Sequence, residues 1–248
     1  MMSPIALSIV LGFTAGAANI AGGALLVRRE WDQHYLKYFM ALGAGFMLAT
    51  AITEMVPASA GLEGGNAGRA GFLVLLGYLI IHFCEHVVSG HFHFGEETHH
   101  DEFMGPHKST TVLLGLAIHA FFDGIAIASG FQVSNWLGWI VFLAIFLHKI
   151  PEGFTVASVM LASGRGSIRA FYASVVLGVG TLLGVFAMVS LRHGVAIGLP
   201  IAAGVTIYVA ASDIVPEVNR EPGIKMPLLL FVGVAMLFVL DHLFHVHV

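Results

Sequence analysis

Eight stretches of roughly 20 apolar residues, each closed by a short break of turn or charged residues, run the length of this sequence. A helix needs about 20 such residues to cross the hydrocarbon of a bilayer. A soluble core cannot absorb so much apolar surface. Only 10% of the residues are charged and 57% are hydrophobic, against about 25% charged in ordinary soluble domains. The spans are read as Ile5–Val27, Leu36–Val56, Gly71–Val88, Thr110–Phe131, Trp136–Ala162, Ile168–Leu191, Val195–Val215 and Met226–Phe244. The expected fold is all-α: an integral membrane protein with eight transmembrane helices. Residues 1–248 form one polytopic domain, with a polar loop at about 89–109. The N-terminus lacks a basic n-region and reads as the first span rather than a signal peptide.

Lys and Arg orient the chain. If the N-terminus lies outside, the inner loops hold Arg28, Arg29, Lys37, Lys108, Arg165, Arg169, Arg220 and Lys225, and the outer loops only Arg69 and Arg192. Both termini are therefore expected on the extracytoplasmic side, in the inner membrane if the cell is bacterial. No basic block suits nucleic acid, and the single cysteine, Cys84, excludes an internal disulfide framework.

The sequence repeats itself. GFMLATAITEMVP (Gly45–Pro57) in span 2 matches GVTIYVAASDIVP (Gly204–Pro216) in span 7, with Gly, acid and Pro in register. GYLIIHFCEH (Gly77–His86) in span 3 matches GVAMLFVLDH (Gly233–His242) in span 8, pairing Glu85 with Asp241. Matching spans run in opposite directions through the membrane. The expectation is a 3+2+3 arrangement in which spans 1–3 and 6–8 are inverted repeats around the pair 4 and 5, an architecture of transporters. Spans 1 and 6 share only a Leu-Gly match, so their pairing rests on order alone.

The central pair carries the chemistry. HAFFDGIAIAS (His119–Ser129) repeats as HKIPEGFTVAS (His148–Ser158). His119 and Asp123 are four residues apart, as are His148 and Glu152, and such pairs share one helical face. If the two faces meet, they make a site of two imidazoles and two carboxylates, a donor set suited to zinc, ferrous iron, manganese or cadmium. The competing reading is a helix-bridging ion-pair network with no ligand. Charged groups deep in a bilayer cost several kcal/mol and are rare without function. Pro151 and Gly153 are expected to disturb span 5 beside the site.

On these residues the chain resembles the ZIP (Zrt/Irt-like) family of divalent metal transporters. The resemblance covers nearly the whole chain: eight spans, both termini outside, a histidine-rich loop after span 3, and the paired motifs HAFFDG and HKIPEG. It implies that His119, Asp123, His148 and Glu152 are metal ligands. It also aligns Met47 with a span 2 position that approaches the site in some members, although core filling explains Met47 equally well. Members with a two-metal site carry a polar residue and a carboxylate where this chain has Ala120 and Lys149. Lys149 is expected to take the place of a second ion and pair with Asp123 or Glu152, leaving a one-ion site. The alternative is a counter-charge facing another helix.

The repeat also suggests the mouths of a pathway. Glu54, Asp241 and His242 are entrance candidates, and Asp213, Glu217, Glu85 and His86 are exit candidates; each could equally be a solvated helix-end group. The loop from Ser89 to Ser109 holds His91, His93, His99, His100 and His107 among four acids. Such tracts bind metal loosely, so this one reads as a cytoplasmic capture or regulatory element, or as a polar linker. His245 and His247 at the tail are weaker candidates.

The function expected is movement of a divalent transition-metal ion, zinc before iron, manganese or cadmium, toward the cytoplasm by alternating access. The ion is substrate, and no permanently bound cofactor is expected. The lipid bilayer is the other partner; a homodimer is compatible with the sequence but not read from it. The resemblance implies that helices 1, 4, 5 and 6 slide against 2, 3, 7 and 8; small residues such as Gly12, Gly16, Gly178 and Gly184 would permit close sliding contacts, although they are common in any bundle. No GxxxxGK[ST] phosphate loop is present, so gradients supply the energy, and metal binding should displace protons. The rivals are an intramembrane zinc-dependent hydrolase, which lacks HExxH and a spare deep acid, and a metal-sensing membrane protein on the same scaffold.

Overall fold

The computed structural model describes residues 2–28, 33–62, 66–88, 106–191 and 194–245. Among them are eight helices long and apolar enough to cross a membrane: α1 (Pro4–Val27), α2 (Tyr35–Leu62), α3 (Ala67–Val87), α4 (Ser109–Val133), α5 (Asn135–Ala162), α6 (Ser167–Ser190), α7 (Val195–Asn219) and α8 (Lys225–Phe244). Large apolar side chains such as Phe13, Phe72, Leu183, Phe231 and Phe238 point outward on these helices. In water this would be a severe aggregation liability; in lipid it is the expected surface. His91, His93, His99, His100 and His247 lie outside the described residues, as do the side chains of His107 and His245.

The helix ends fall close to the spans read from sequence, with two informative differences. α2 and α7 each continue past a proline, Pro57 and Pro216, where the sequence suggests a stop. Both prolines follow a π-helical segment, Ala51–Met55 in α2 and Val209–Ile214 in α7. A proline has no N–H to donate and crowds the carbonyl one turn back. The wider π turn accommodates both defects without ending the helix. The other difference is a correction. The sequence suggests that Pro151 disturbs the helix beside the site, yet α5 runs as one unbroken α-helix through it.

α1 and α4 each pack on both α5 and α6, while α2 lies along α8 and α3 along α7. These contacts are set by glycine. A methyl group added at Gly22 (α1) would strike the Ile150 carbonyl of α5, and one at Gly153 (α5) the Asn19 carbonyl of α1. Gly124 (α4) and Gly184 (α6) stand in the same relation to Thr181 and Phe121. In the other helices, Gly45 (α2) abuts the Leu230 carbonyl and Gly233 (α8) the Leu42 carbonyl, while Gly77 (α3) abuts Ile201 and Gly204 (α7) abuts Val74. Backbone-to-backbone packing of this closeness is available only to glycine. Every one of these close approaches lies within the group α1, α4, α5, α6 or within the group α2, α3, α7, α8. Gly12, Gly16, Gly178 and Gly184 therefore do not form the sliding surface expected of them. Gly12 packs on Val185 of α6, Gly16 and Gly178 face each other across α1 and α6, and all four hold the first group together.

Candidate metal centre

α4 and α5 form a tight helical hairpin. Ser134 is the only residue between the helical segments Pro106–Val133 and Asn135–Ala162. Its hydroxyl caps α5 by accepting the Leu137 N–H at 3.0 Å. Gly130 and Gly138 let the two backbones close directly behind the turn. A hairpin folded at Ser134 brings residues equidistant from it to one depth, and His119 and His148 are nearly so, each at the middle of its helical segment. At a rise of 1.5 Å per residue both lie about 21 Å from the turn, well inside the apolar layer.

There the two motifs meet. His119, Asp123, His148 and Glu152 are all buried, and one ligand-type atom from each lies within 4.8 Å of the others. The imidazole rings are 5.6 Å apart. His119 Nε2 and His148 Nε2 stand 3.2 and 3.4 Å from the same oxygen, Asp123 Oδ2. His148 Nδ1 is 3.1 Å from the Ala144 carbonyl. That oxygen can only accept, so Nδ1 carries the hydrogen and Nε2 is the nitrogen left facing the Asp123 carboxylate. This is the arrangement that orients metal-ligating histidines. Neither ring nitrogen of His119 and not Glu152 Oε1 has a hydrogen-bond partner among the described residues. Buried polar atoms without partners cost roughly 1–3 kcal/mol each.

Lys149 is wholly buried and pairs with both acids, its Nζ 2.5 Å from Asp123 Oδ2 and 2.5 Å from Glu152 Oε2. It turns into the cluster and bridges the acid of α4 to that of α5. Sequence reasoning missed one group altogether. Asn19 of α1 is fully buried, and the atoms facing one end of its amide are Glu152 Oε2 and the Lys149 carbonyl, both acceptors. That end is therefore the NH2, donating at 3.2 and 2.7 Å. An amide in the middle of an otherwise apolar span was the signal that could have found it. Met47 is buried in α2, one turn beyond Gly43, where an added methyl group would meet Leu147 and His148.

A second polar cluster joins α3 to α7. Glu85 hydrogen-bonds with Tyr208 and Asp213. Tyr78 bonds Ser212 at 3.1 Å and stacks edge-on against Tyr208 at 4.9 Å. His82 stacks on His86 at 4.0 Å and lies 5.7 Å from the Tyr208 ring. Thus Glu85 and Asp213 come together, with His86 exposed at their edge. Tyr208 and His82 were not foreseen. Glu217 is buried and paired with Arg220 at 3.2 Å. Glu54 and Asp241 are half-buried and His242 is exposed.

Eight apolar helices around a buried cluster of two imidazoles and two carboxylates that could hold a metal ion define a polytopic membrane protein. The family model described as ZIP Zinc transporter matches residues 105–241, just over half of the chain. The chain belongs to that family. It is 26% identical over 250 residues to zinc transporter ZIP9 of Micropogonias undulatus, covering 79% of this chain and 80% of the relative. Zinc transporter ZIP9 of Xenopus tropicalis is similar at 26% over 244 residues, with the same coverage. Human zinc transporter SLC39A7 is 31% identical over 141 residues, which is 50% of this chain and 30% of the relative.

Proposed function

We propose that this protein carries a divalent transition-metal ion, zinc foremost, toward the cytoplasm by alternating access, with His119, Asp123, His148 and Glu152 as the ligands that hold it in transit. The observation that carries the reading is the convergence of those four buried ligand atoms within 4.8 Å. A dehydrated zinc ion takes four nitrogen and oxygen donors in a tetrahedron. The names of the similar transporters point to the same substrate. Lys149, already between the two acids, stands where a second cation would compete, so the site takes one ion. Met47 borders it from α2.

The glycine contacts support a 3+2+3 inverted repeat. Gly45 abuts Leu230 as its counterpart Gly204 abuts Val74, and Leu230 is itself the counterpart of Val74. Gly77 with Ile201 repeats as Gly233 with Leu42, and Gly124 with Thr181 repeats as Gly153 with Asn19. The same operation aligns α1 with α6, matching Asn19 to Thr181, Gly22 to Gly184 and Gly16 to Gly178. The group α1, α4, α5, α6 then moves as a unit against α2, α3, α7, α8. The ion enters past Glu54, Asp241 and His242 on the extracytoplasmic side, where both termini lie. It leaves past Asp213 and Glu85 toward His86 and Glu217. The loop histidines His91, His93, His99, His100 and His107 receive it or sense its level. A homodimer is compatible with this scheme and not required by it.

Uptake into sealed proteoliposomes loaded with a zinc dye tests the proposal. Wild type should fill the vesicles, and His119→Ala and Glu152→Ala should not. Zinc-dependent signalling without flux would favour a sensor and overturn it.

A further inference from the structure

The two oxygens of Glu152 are in different circumstances. Oε2 receives the Lys149 ammonium at 2.5 Å and the Asn19 amide at 3.2 Å. Oε1 is buried with no hydrogen-bond partner among the described residues. Lys149 alone does not fix the carboxylate, because its ammonium is shared with Asp123 and sits on a flexible stem. Asn19 comes from a different helix, and its other donor bond, to the Lys149 carbonyl at 2.7 Å, anchors the amide to the α5 backbone. Its own backbone is pressed against Gly153. The amide is thus held on two sides, beside the carboxylate it addresses.

We infer that Asn19 is a positioning residue that sets metal preference: it engages Glu152 Oε2 so that only Oε1 is offered to the ion. The inference rests on the reading of Glu152 as a ligand. A carboxylate restricted to one oxygen completes a tetrahedron of single-atom donors, the arrangement zinc adopts. A larger ion such as cadmium gains from a carboxylate that binds through both oxygens, and the Asn19 amide withholds the second. Removing the amide therefore weakens zinc more than cadmium.

Zinc and cadmium binding to the purified, detergent-solubilised full chain is measured by calorimetry for wild type, Asn19→Ala, Asn19→Leu and Glu152→Gln. Infrared difference spectra of the carboxylate stretches are recorded on adding zinc. Asn19→Ala and Asn19→Leu should weaken zinc about tenfold, and cadmium by less, so that selectivity falls. The wild-type band lost in Glu152→Gln should have the wide splitting of one-oxygen coordination, and it should narrow in the Asn19 variants. Glu152→Gln binding zinc as wild type would sink the ligand reading itself. Glu152→Gln failing while the Asn19 variants keep both affinities and the wild-type splitting would overturn the positioning role alone. A two-oxygen signature in the wild-type protein would overturn it even if no Asn19 variant folds.

Discussion

The two groups of four helices are built differently. α1, α4, α5 and α6 enclose the buried cluster of His119, Asp123, His148 and Glu152, and among the described residues they are α-helical throughout. α2, α3 and α7 each contain a π-helical segment: Ala51–Met55, Cys84–Val88 and Val209–Ile214. Each of those segments holds one acid, Glu54, Glu85 or Asp213. Regular helices fix side chains at spacings of 3 and 4 residues, which a coordination site needs. A π turn widens the helix and re-aims a side chain, and such turns gather at functional sites. On the proposed reading, rigidity lies where the ion is gripped and local irregularity where it passes. α8 breaks the pattern, since Asp241 sits in a continuous α-helix.

The tight glycine contacts are what hold each group together, so a methyl group there should have the largest effect. Gly45→Ala places a carbon against the Leu230 carbonyl, which cannot turn aside as a side chain could. A loss of about 3 kcal/mol is expected, read as a lower melting temperature of the detergent-solubilised protein and reduced membrane yield. An unchanged melting temperature would mean that α2 and α8 separate easily and are not one body.

Nearly as large is the loss expected on removing one of the proposed ligands. His148→Ala should weaken zinc binding and uptake about 100-fold, equivalent to about 2.7 kcal/mol, without altering the α2–α8 contact. Asp213→Asn should be milder. It keeps the volume and some hydrogen bonding to Glu85, so uptake should fall about fivefold, near 1 kcal/mol, with zinc affinity at equilibrium unchanged. If Asp213→Asn instead weakens equilibrium binding as much as His148→Ala does, grip and passage are not divided between the two groups.

The sequence exposes one of these regimes far better than the other. Spans are visible because lipid demands long apolar runs. The paired motifs are visible because four-residue spacing on two helices joined by one residue, Ser134, leaves their faces little choice but to meet. Lys149 is placed beside the acids only by the family resemblance, which leaves a counter-charge facing another helix as the alternative. Asn19 could not be placed, because nothing in α1 says which residue of α5 it will touch. The π turns are equally silent: the sequence shows Pro57 and Pro216, which look like stops, and only the surrounding helices decide that the chain continues. Gly12, Gly16, Gly178 and Gly184 were legible as close contacts but not as belonging to one group. A small residue announces proximity and not whether the partners move together.

The smallest expected effect separates a fixed contact from a moving one within a single helix. Gly43 and Gly45 lie two residues apart in α2 and face different neighbours. A methyl group at Gly43 would meet Leu147 Cβ at 3.5 Å and His148 Cβ at 3.8 Å, ordinary packing distances against the site-bearing group. Gly43→Ala should therefore leave stability within about 0.5 kcal/mol. On the proposed sliding of the two groups this face passes α5, so any effect should fall on rate. Uptake should slow about twofold, near 0.4 kcal/mol, with zinc affinity unchanged. A melting temperature that drops as far for Gly43→Ala as for Gly45→Ala would make the α2–α5 contact as fixed as the α2–α8 contact, and the two groups would then be one rigid bundle with no plane on which to slide.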